Sequence, residues 1–327
     1  MKKRIFTLLA ITAFFSSTIF SASPFPVKSK HAFAKVMTEQ YHMSSSDIQR
    51  QLQRIQFQPD IIDKINHPAE KKNWDWYQNF FLKKDRINAG LNYWHAHRRI
   101  LNVARKKYGI NPSIIVAIAG IETYYGKRQG QYNMLNALGT LAFHYPARAR
   151  FFQKELANYF LLNQKMPLAK IKSSYAGAIG IPQFMPSSYL HYGVSATPHQ
   201  TPNLMTSDDD AILSIANYLH KNGWKRNQYI ILPAISKRTP QPQWFLTAPT
   251  HSLRWYQEKG IKLSVPINTN QKAALVKLDT QHEHRYWLAL PNFYSLMSYN
   301  PRINYAMAVF RLSRALQHQA SHAQRHA

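Results

Sequence analysis

One glutamate stands inside an apolar helical pattern. The run SIIVAIA at 113–119 leads into GIETYYG, which contains Glu122, and on a helix this residue shares a face with Ile115, Ile118 and Tyr125. A carboxyl group that is partly removed from water favours its neutral form, so its pKa rises, as a general acid near neutral pH requires. The alternative is a glutamate at the edge of the apolar face that reaches solvent or pairs with an arginine. The helix alone leaves both interpretations open.

A partner carboxylate is not evident in the same region. Between residues 111 and 207 the only other acid is Glu155, which lies between Lys154 and Leu156 and is predicted to occupy a solvated helix face. Glycosidases generally use a pair of carboxyl groups, so the pattern does not predict a two-carboxylate site. The three acids at 208–210 are interpreted as charges that stabilise the N-terminus of a helix.

A second segment places polar groups in an apolar context. The stretch SSYAGAIGIPQFMPSSY at 173–189 contains glycines and prolines typical of a structured loop, and it includes Ser174 and Gln183. A glutamine side chain both donates and accepts hydrogen bonds, which matches an amide such as an N-acetyl group. The alternative is that the two polar side chains only cap and hold the loop.

Helical patterns surround these segments. Residues 31–105 carry helical spacing, including SSSDIQRQLQRIQF and the long amphipathic run AGLNYWHAHRRILNVARKKYGI. Asn111 and Pro112 supply an N-cap residue and a proline at the first helical position, which predicts the start of the helix that carries Glu122. Further helices are predicted for RARFFQKELANYFLLNQ, SDDDAILSIANYLHKNGW and NYAMAVFRLSRALQH.

Short β-like runs interrupt the helical pattern after residue 228. They are YIILPAI, KLSVPI and AALVKL, and proline-rich and polar turns separate them. We therefore expect a small β-rich insertion at 229–284. The predicted fold class is mainly α, with an N-terminal helical region at 30–105 and a helical core formed by 106–228 and 285–320.

Composition narrows the class of partner. The 327 residues include 42 Lys and Arg against 15 Asp and Glu, and the resulting net charge of +27 favours a polyanionic partner or surface. Nucleic acid, anionic lipid and an acidic cell-wall polymer all fit this description, and a generally basic proteome is the alternative cause. Because the chain contains no cysteine, disulfides, thiolate catalysis, Cys-ligated zinc and a lipoprotein-type lipid anchor are excluded.

The N-terminus has the pattern of an export signal. A positive segment at 2–4 precedes an apolar run at 5–20 and small residues at 21–23. The apolar run is shorter than the roughly 20 residues that span a bilayer, so we expect a signal peptide over 1–23 and a periplasmic protein. An uncleaved membrane anchor is the alternative. Export argues against nucleic acid as the partner.

Several ordered motifs resemble those of the lytic murein transglycosylase B family. The motifs are GIETYYG, LNALGTLAFHYPARARFFQKEL, SYAGAIGIPQFMPSSY, SIANYLHKNGW and YWLALPNFYSLMSYNPRINYAMAV, and the resemblance spans roughly 33–315. It implies a lysozyme-like helical core, periplasmic cleavage of peptidoglycan without a cofactor, and one catalytic glutamate, Glu122. It further implies substrate-binding residues, which by motif are Tyr77, Arg148, Ser174, Gln183, Phe184, Tyr218, Tyr299, Asn300 and Tyr305.

Two motifs depart from the family pattern. Where the family often has an arginine pair after YP, this chain has Ala147 followed by Arg148, and Arg150 is the alternative contact. The better-known members also carry an Asp-rich calcium loop after PSSY, whereas the stretch LHYGVSATPHQTPNLMTS contains no acid here. A hard cation needs several oxygen ligands, preferably charged, so no metal site is expected.

The resemblance implies a reaction that one acid can catalyse. The expected enzyme is a lytic transglycosylase that cleaves the β-1,4 bond between N-acetylmuramic acid and N-acetylglucosamine and leaves 1,6-anhydro-muramyl ends. A muramidase-type hydrolase and a non-catalytic peptidoglycan-binding protein are the alternatives. The aromatic residues of the motifs either line a sugar groove or pack in the core. Expected partners are glycan strands, together with cell-wall synthesis proteins that the sequence does not identify.

Overall fold

The computed structural model describes residues 25–67, 73–245, 248–281 and 283–325 of the chain. The predicted signal peptide over 1–23 lies outside these residues. Fourteen helices occur in the described part of the chain. They are α1 Lys30–Tyr41, α2 Ser45–Gln53, α3 Pro59–Asn66, α4 Trp74–Phe81, α5 Lys84–Ala96, α6 Arg98–Tyr108, α7 Pro112–Thr123, α8 Met134–His144, α9 Ala149–Lys165, α10 Pro186–Tyr192, α11 Asp208–Lys221, α12 Leu253–Glu258, α13 Pro291–Tyr299 and α14 Ile303–Arg325.

The strands form two antiparallel sheets. They are β1 Tyr132–Asn133, β2 Lys172–Ser173, β3 Ile231–Ile235, β4 His251–Ser252, β5 Lys262–Leu263, β6 Lys272–Asp279 and β7 His284–Ala289. The first two strands pair with each other, and the other five form a sheet in the order β4-β6-β7-β3-β5. No helix in the described ranges is long and apolar enough to cross a membrane.

The chain divides into two compact units. Within the described residues, unit 1 comprises 25–67 and 122–214, and unit 2 comprises 73–121 and 215–325. The divisions fall inside α7, between Ile121 and Glu122, and inside α11, between Ser214 and Ile215.

Unit 1 is built on α8 and α9, which pack against each other. The ring of Phe33 lies 5.3 Å from that of Phe25 and 6.0 Å from that of Phe160, so α1 and the segment before it close over this pair. The buried side chain of Gln153 fixes the same segment, because its Oε1 accepts from the Val27 N–H at 2.8 Å and its Nε2 donates to the Val27 carbonyl at 2.9 Å.

Unit 2 contains the β-rich insertion. The buried side chains of Leu275 on β6 and Leu288 on β7 pack in one cluster with Tyr256 of α12, whose hydroxyl oxygen accepts from the Leu275 N–H at 3.1 Å. Strand β7 continues the sheet to Ala289, past the expected end of the insertion at 284. The mainly α fold with a small β-rich part agrees with the prediction.

One predicted helix is divided. The long amphipathic run is α5 and α6 in the structure, and His97 between them has φ −107° and ψ 21°. The rings of Tyr93 and His97 lie 4.4 Å apart at this break. The sequence has neither proline nor glycine there, and nothing in the structure explains why the helix is interrupted at this residue.

Candidate active site

Glu122 occupies the last turn of α7. The helix begins as predicted, because the Asn111 side chain accepts from the Ser113 N–H at 3.0 Å and from the Ser113 hydroxyl at 2.9 Å. It ends because Tyr124 and Tyr125 take left-handed conformations, with φ 52° and 60°, which a helix cannot continue through. Only 3% of Glu122 is exposed to solvent. The interpretation that places this side chain at a solvent-exposed edge of the helix is therefore excluded.

The residue after Glu122 connects the helix to a neighbouring loop. The Thr123 hydroxyl donates to the Ile181 carbonyl at 2.9 Å and accepts from the Gly126 N–H at 2.9 Å. Thr123 is 1% exposed, and a buried polar group is costly unless it is hydrogen-bonded. The end of α7 and the loop around Ile181 are therefore fixed to each other within unit 1.

The loop at 173–185 is a compact double turn. Ser174 accepts through its hydroxyl from the Ala178 N–H at 2.9 Å, and Ile179 forms bridges with both Ser173 and Phe184. Gly180 has φ 73°, and a Cβ there would lie 2.5 Å from the Leu204 carbonyl oxygen. Only glycine allows that approach. The Ser174 hydroxyl thus helps to hold the loop, as the alternative interpretation of this segment expected, and its role towards a substrate stays a prediction.

The Gln183 side chain has a fixed orientation. Its Nε2 donates to the Gly180 carbonyl at 2.9 Å and to the Gln129 carbonyl at 3.1 Å. Since both neighbours are acceptors, only the nitrogen end of the amide can face them. The Oε1 atom is buried and has no hydrogen-bond partner, and the backbone is held at φ 51°. Oε1 of Gln183 is thus a buried acceptor on the loop that Thr123 fixes to the helix of Glu122.

Five candidate substrate-binding residues belong to unit 2. All are buried, with 1–2% of each residue exposed: Tyr77, Tyr218, Tyr299, Asn300 and Tyr305. The rings of Tyr218 and Tyr299 lie 4.7 Å apart, and the Tyr218 hydroxyl donates to the Ser298 carbonyl at 2.6 Å. Oδ1 of Asn300 is buried and has no hydrogen-bond partner. Of the candidates in unit 1, Phe184 is also buried.

Arg148 lies at the end of a 3-10 turn before α9. Its guanidinium carbon is 4.3 Å from the centre of the Phe151 ring, and burial lowers the pKa of this group from its usual value. Arg150, the alternative contact, is exposed. The guanidinium of Arg148 is therefore partly desolvated.

The prediction for Glu155 was wrong. This residue is 3% exposed, and its two carboxylate oxygens accept from the Ser187 N–H at 3.0 Å and the Ser187 hydroxyl at 2.6 Å. Burial is the largest influence and raises the pKa of its carboxyl group, against the opposing effect of these hydrogen bonds. The helical spacing around Glu155 could have indicated its burial, because on a helix it shares its face with the buried residues Phe152 and Tyr159.

Comparison with known proteins places the chain in a family. Residues 27–314 match the family model described as transglycosylase SLT domain. The chain is 37% identical, over 76% of its length and 69% of the relative's, to membrane-bound lytic murein transglycosylase B of Escherichia coli K12. The chain belongs to the lytic transglycosylase family. The family, fold class and enzyme class that the motifs predicted are confirmed.

Solved structures of lytic transglycosylases share the fold. A soluble lytic transglycosylase of Pseudomonas aeruginosa is 33% identical, with a TM-score of 0.83 over 89% of this chain and 99% of that one. A lytic transglycosylase of Escherichia coli solved in complex with calcium is 31% identical, with a TM-score of 0.81 over 88% of this chain and 92% of that one.

The loop at 193–207, for which no metal site was expected, contains no acidic side chain. No group of three or more His, Cys, Asp or Glu side chains able to hold a metal ion occurs within the described residues. The buried acid beside the loop is Asp210, and it accepts from the Ala196 N–H at 2.8 Å and the Asn203 N–H at 2.7 Å. Asp210 therefore does more than stabilise the N-terminus of α11. Both carboxylate oxygens face N–H donors, which is an unfavourable environment for a positive ion.

Proposed function

We propose that this chain is a periplasmic peptidoglycan lytic transglycosylase in which Glu122 acts first as the general acid and then as the general base. The proposal depends above all on the burial of Glu122 at the end of α7, where Thr123 joins the helix to the loop that carries Gln183. Membership of the transglycosylase family supplies the reaction class.

The first step breaks the glycosidic bond. Glu122 gives its proton to the oxygen that links the muramyl C1 to the next N-acetylglucosamine, and the C1–O bond breaks as this sugar leaves with a hydroxyl group. The carbonyl oxygen of the muramyl acetamido group attacks C1 in the same step and forms an oxazolinium ring. The other acid between residues 111 and 207, Glu155, is engaged with Ser187, so the proposal assigns the role of a second carboxylate to this internal nucleophile.

Gln183 fits the demands of that nucleophile. Its free Oε1 can only accept a hydrogen bond, so its partner on the substrate is the N–H of the acetamido group rather than the carbonyl. As the oxazolinium ring forms, positive charge develops on this nitrogen and strengthens the N–H···O bond. A preorganised acceptor therefore stabilises the transition state more than the ground state.

The second step closes the anhydro ring. Glu122, now a carboxylate, takes the proton from the C6 hydroxyl of the same muramyl residue. The C6 oxygen attacks C1, the oxazolinium ring opens to restore the acetamido group, and a 1,6-anhydro bond forms without consuming water. An intramolecular hydroxyl held close to C1 has an effective concentration of about 10⁵ M or more in favourable cases, against roughly 55 M for bulk water.

The remaining candidates are proposed to hold the glycan strand. Arg148 offers a partly desolvated guanidinium to carboxylates of the muramyl stem peptide. The buried Asn300 offers Oδ1 as an acceptor, and the tyrosines of unit 2, which are 1% exposed, are proposed to support the binding residues by packing rather than to present an open aromatic face. Peptidoglycan strands are the proposed polyanionic partner of this basic chain, and the periplasm is its proposed location, which the predicted N-terminal export signal supports.

Digestion of purified peptidoglycan in heavy-oxygen water tests this proposal. We expect products that end in 1,6-anhydro-muramyl residues, lighter than the hydrolysed products by one water, without heavy oxygen and unreactive towards borohydride. Labelled, borohydride-reactive ends would make the enzyme a muramidase-type hydrolase. Binding to peptidoglycan without any soluble product would instead favour a non-catalytic wall-binding protein.

A further inference from the structure

We propose that Asp210 is a positioning residue for catalysis, whose carboxylate closes the loop at 193–207 without a cation and thereby holds Gln183 in place. The inference rests on the proposed role of Gln183 towards the acetamido group. It concerns a loop that in better-known family members binds calcium. Here the Asp210 carboxylate, a side chain of the protein, takes the role of holding this loop together.

Asp210 connects two separate points of the loop. It is 6% exposed, and its oxygens accept from the Ala196 N–H at 2.8 Å and the Asn203 N–H at 2.7 Å. Hydrogen bonds to an ionised acceptor are about twice as strong as those between neutral groups. A bound cation organises a loop by gathering oxygen atoms around a positive centre. Here a negative centre gathers N–H groups, so the polarity of the arrangement is reversed.

The next turn of α11 adds a third connection. Ser214 lies four residues after Asp210 and therefore on the same helix face. Its hydroxyl accepts from the Val194 N–H at 2.8 Å and donates to the Val194 carbonyl at 3.4 Å. One face of α11 thus holds the loop at its beginning, at Ala196 and at Asn203.

The loop in turn holds the segment before Gln183. Directly after Asn203, the Leu204 carbonyl accepts from the Ile181 N–H at 2.8 Å. This is the point where Gly180 approaches Leu204 so closely that no side chain fits. Asp210 fixes the position of Asn203, and the bond between Leu204 and Ile181 therefore fixes Ile181 as well, two residues before Gln183.

A second connection reaches the Gln183 side chain itself. The Met205 carbonyl accepts from Nε2 of Gln129 at 2.7 Å, and the Gln129 carbonyl accepts from Nε2 of Gln183 at 3.1 Å. The two routes start from Leu204 and Met205, the two residues that follow Asn203. One reaches Ile181, two residues before Gln183, and the other reaches the Gln183 amide, whose Oε1 is left free. Loss of the Asp210 carboxylate should therefore displace the acceptor while leaving the rest of the glycan-binding surface in place.

The experiment compares turnover with glycan binding in Asp210 variants. Asp210→Asn keeps the shape and one acceptor but directs an NH₂ group at the second N–H, and Asp210→Ala removes both acceptors. The matched control is Asp47→Asn, which removes the same charge from the first turn of α2, at an exposed residue in the same unit. Circular dichroism sets a temperature at which every variant is folded.

We expect Asp210→Asn to lower kcat by about 10- to 100-fold, the range typical of a small misplacement of a catalytic group, with KM within about twofold of wild type. The control should match the wild type, and added calcium should change neither kcat nor the melting temperature of any variant. If Asp210→Ala does not fold, Asp210→Asn and Ser214→Ala carry the test, with a smaller loss expected for the serine variant.

Two outcomes would overturn the inference. The first is a fall in melting temperature at unchanged kcat, which would make Asp210 only a structural residue. The second is calcium-dependent melting or turnover, which would return the organising role to a cation. Neither depends on whether the wild type forms anhydro ends, so a failure of the proposed reaction is detected separately in the heavy-oxygen digestion.

Discussion

The Thr123 hydroxyl donates to the Ile181 carbonyl at 2.9 Å. Thr123 directly follows Glu122, and Ile181 lies two residues before Gln183. This bond joins the two chain segments that carry the proposed acid and the proposed acceptor. The same hydroxyl accepts from the Gly126 N–H. A single side chain therefore holds the turn that follows α7 and fixes the loop around Ile181 to it.

Replacing Thr123 with valine removes the hydroxyl and keeps the shape. We expect the free energy of unfolding to fall by about 1–3 kcal/mol, because the buried Ile181 carbonyl and the half-buried Gly126 N–H lose their partner, and kcat to fall with it. Urea unfolding and muropeptide release measure the two effects. Thr123→Ser keeps the hydroxyl and should retain most of the turnover, and equal loss of kcat in both variants would show that the bond to Ile181 does not position the site.

Replacing Glu122 with glutamine leaves a side chain of the same shape that cannot deliver a proton. We expect a folded protein that still binds glycan and whose turnover falls by about 10²- to 10⁴-fold, the usual contribution of general acid catalysis. Glu258→Gln is the matched control, since Glu258 is exposed on α12 in unit 2. Wild-type turnover in the Glu122 variant would remove this residue from the mechanism.

Replacing Gln183 with alanine removes the acceptor for the acetamido N–H. Because this bond strengthens as the oxazolinium ring forms, kcat should fall clearly more than the affinity for glycan. Release of muropeptides and cosedimentation with insoluble peptidoglycan separate the two quantities. Gln131→Ala at an exposed position of the same unit is the control, and parallel loss of turnover and affinity would assign Gln183 to the structure of the loop instead.

Glu155 predicts a specific dependence of stability on pH. Burial raises the pKa of its carboxyl group in the folded state above the value of 4.5 in the unfolded chain. The folded state therefore binds the proton more tightly, and the stabilisation this provides is complete below the unfolded pKa and is lost as pH rises through the folded one. We expect the free energy of unfolding of the wild type, relative to Glu155→Gln, to decrease as pH rises above 4.5.

Urea unfolding of both proteins at several pH values between 4 and 8 measures this difference. Glutamine keeps an acceptor for the Ser187 N–H and a donor for its hydroxyl, so the variant isolates the effect of charge. A relative stability of the wild type that increases with pH would mean that the hydrogen bonds to Ser187 outweigh burial.

The sequence predicted the features that depend on local pattern. The start of α7 at Asn111 and Pro112 and the apolar environment of Glu122 follow from spacing alone, because helix caps and helix faces are set by residues a few positions apart. The family followed from several motifs in order. The β-rich part was also predicted from local pattern, although the end of strand β7 at Ala289 was not.

Features that depend on distant residues were missed. Glu155 was assigned to solvent, yet its carboxylate accepts from the N–H and the hydroxyl of Ser187, which lies in another part of the chain. Asp210 was assigned to a helix terminus, whereas its partners lie in the preceding loop. The orientation of the Gln183 amide likewise depends on the carbonyl of Gln129. None of these contacts follows from periodicity, since each requires the folded loops to be in place.

The role proposed for the Gln183 amide sets a chemical condition on the cell wall. The proposed ring closure requires the acyl oxygen of the muramyl acetamido group as its nucleophile. A strand whose amino sugars have lost their acetyl groups carries ammonium groups, which can still donate a hydrogen bond to Oε1 of Gln183 but supply no acyl oxygen. De-N-acetylation would therefore make peptidoglycan resistant to this enzyme, so that a bacterium could protect selected regions of its wall by editing the substrate while the enzyme remains unchanged.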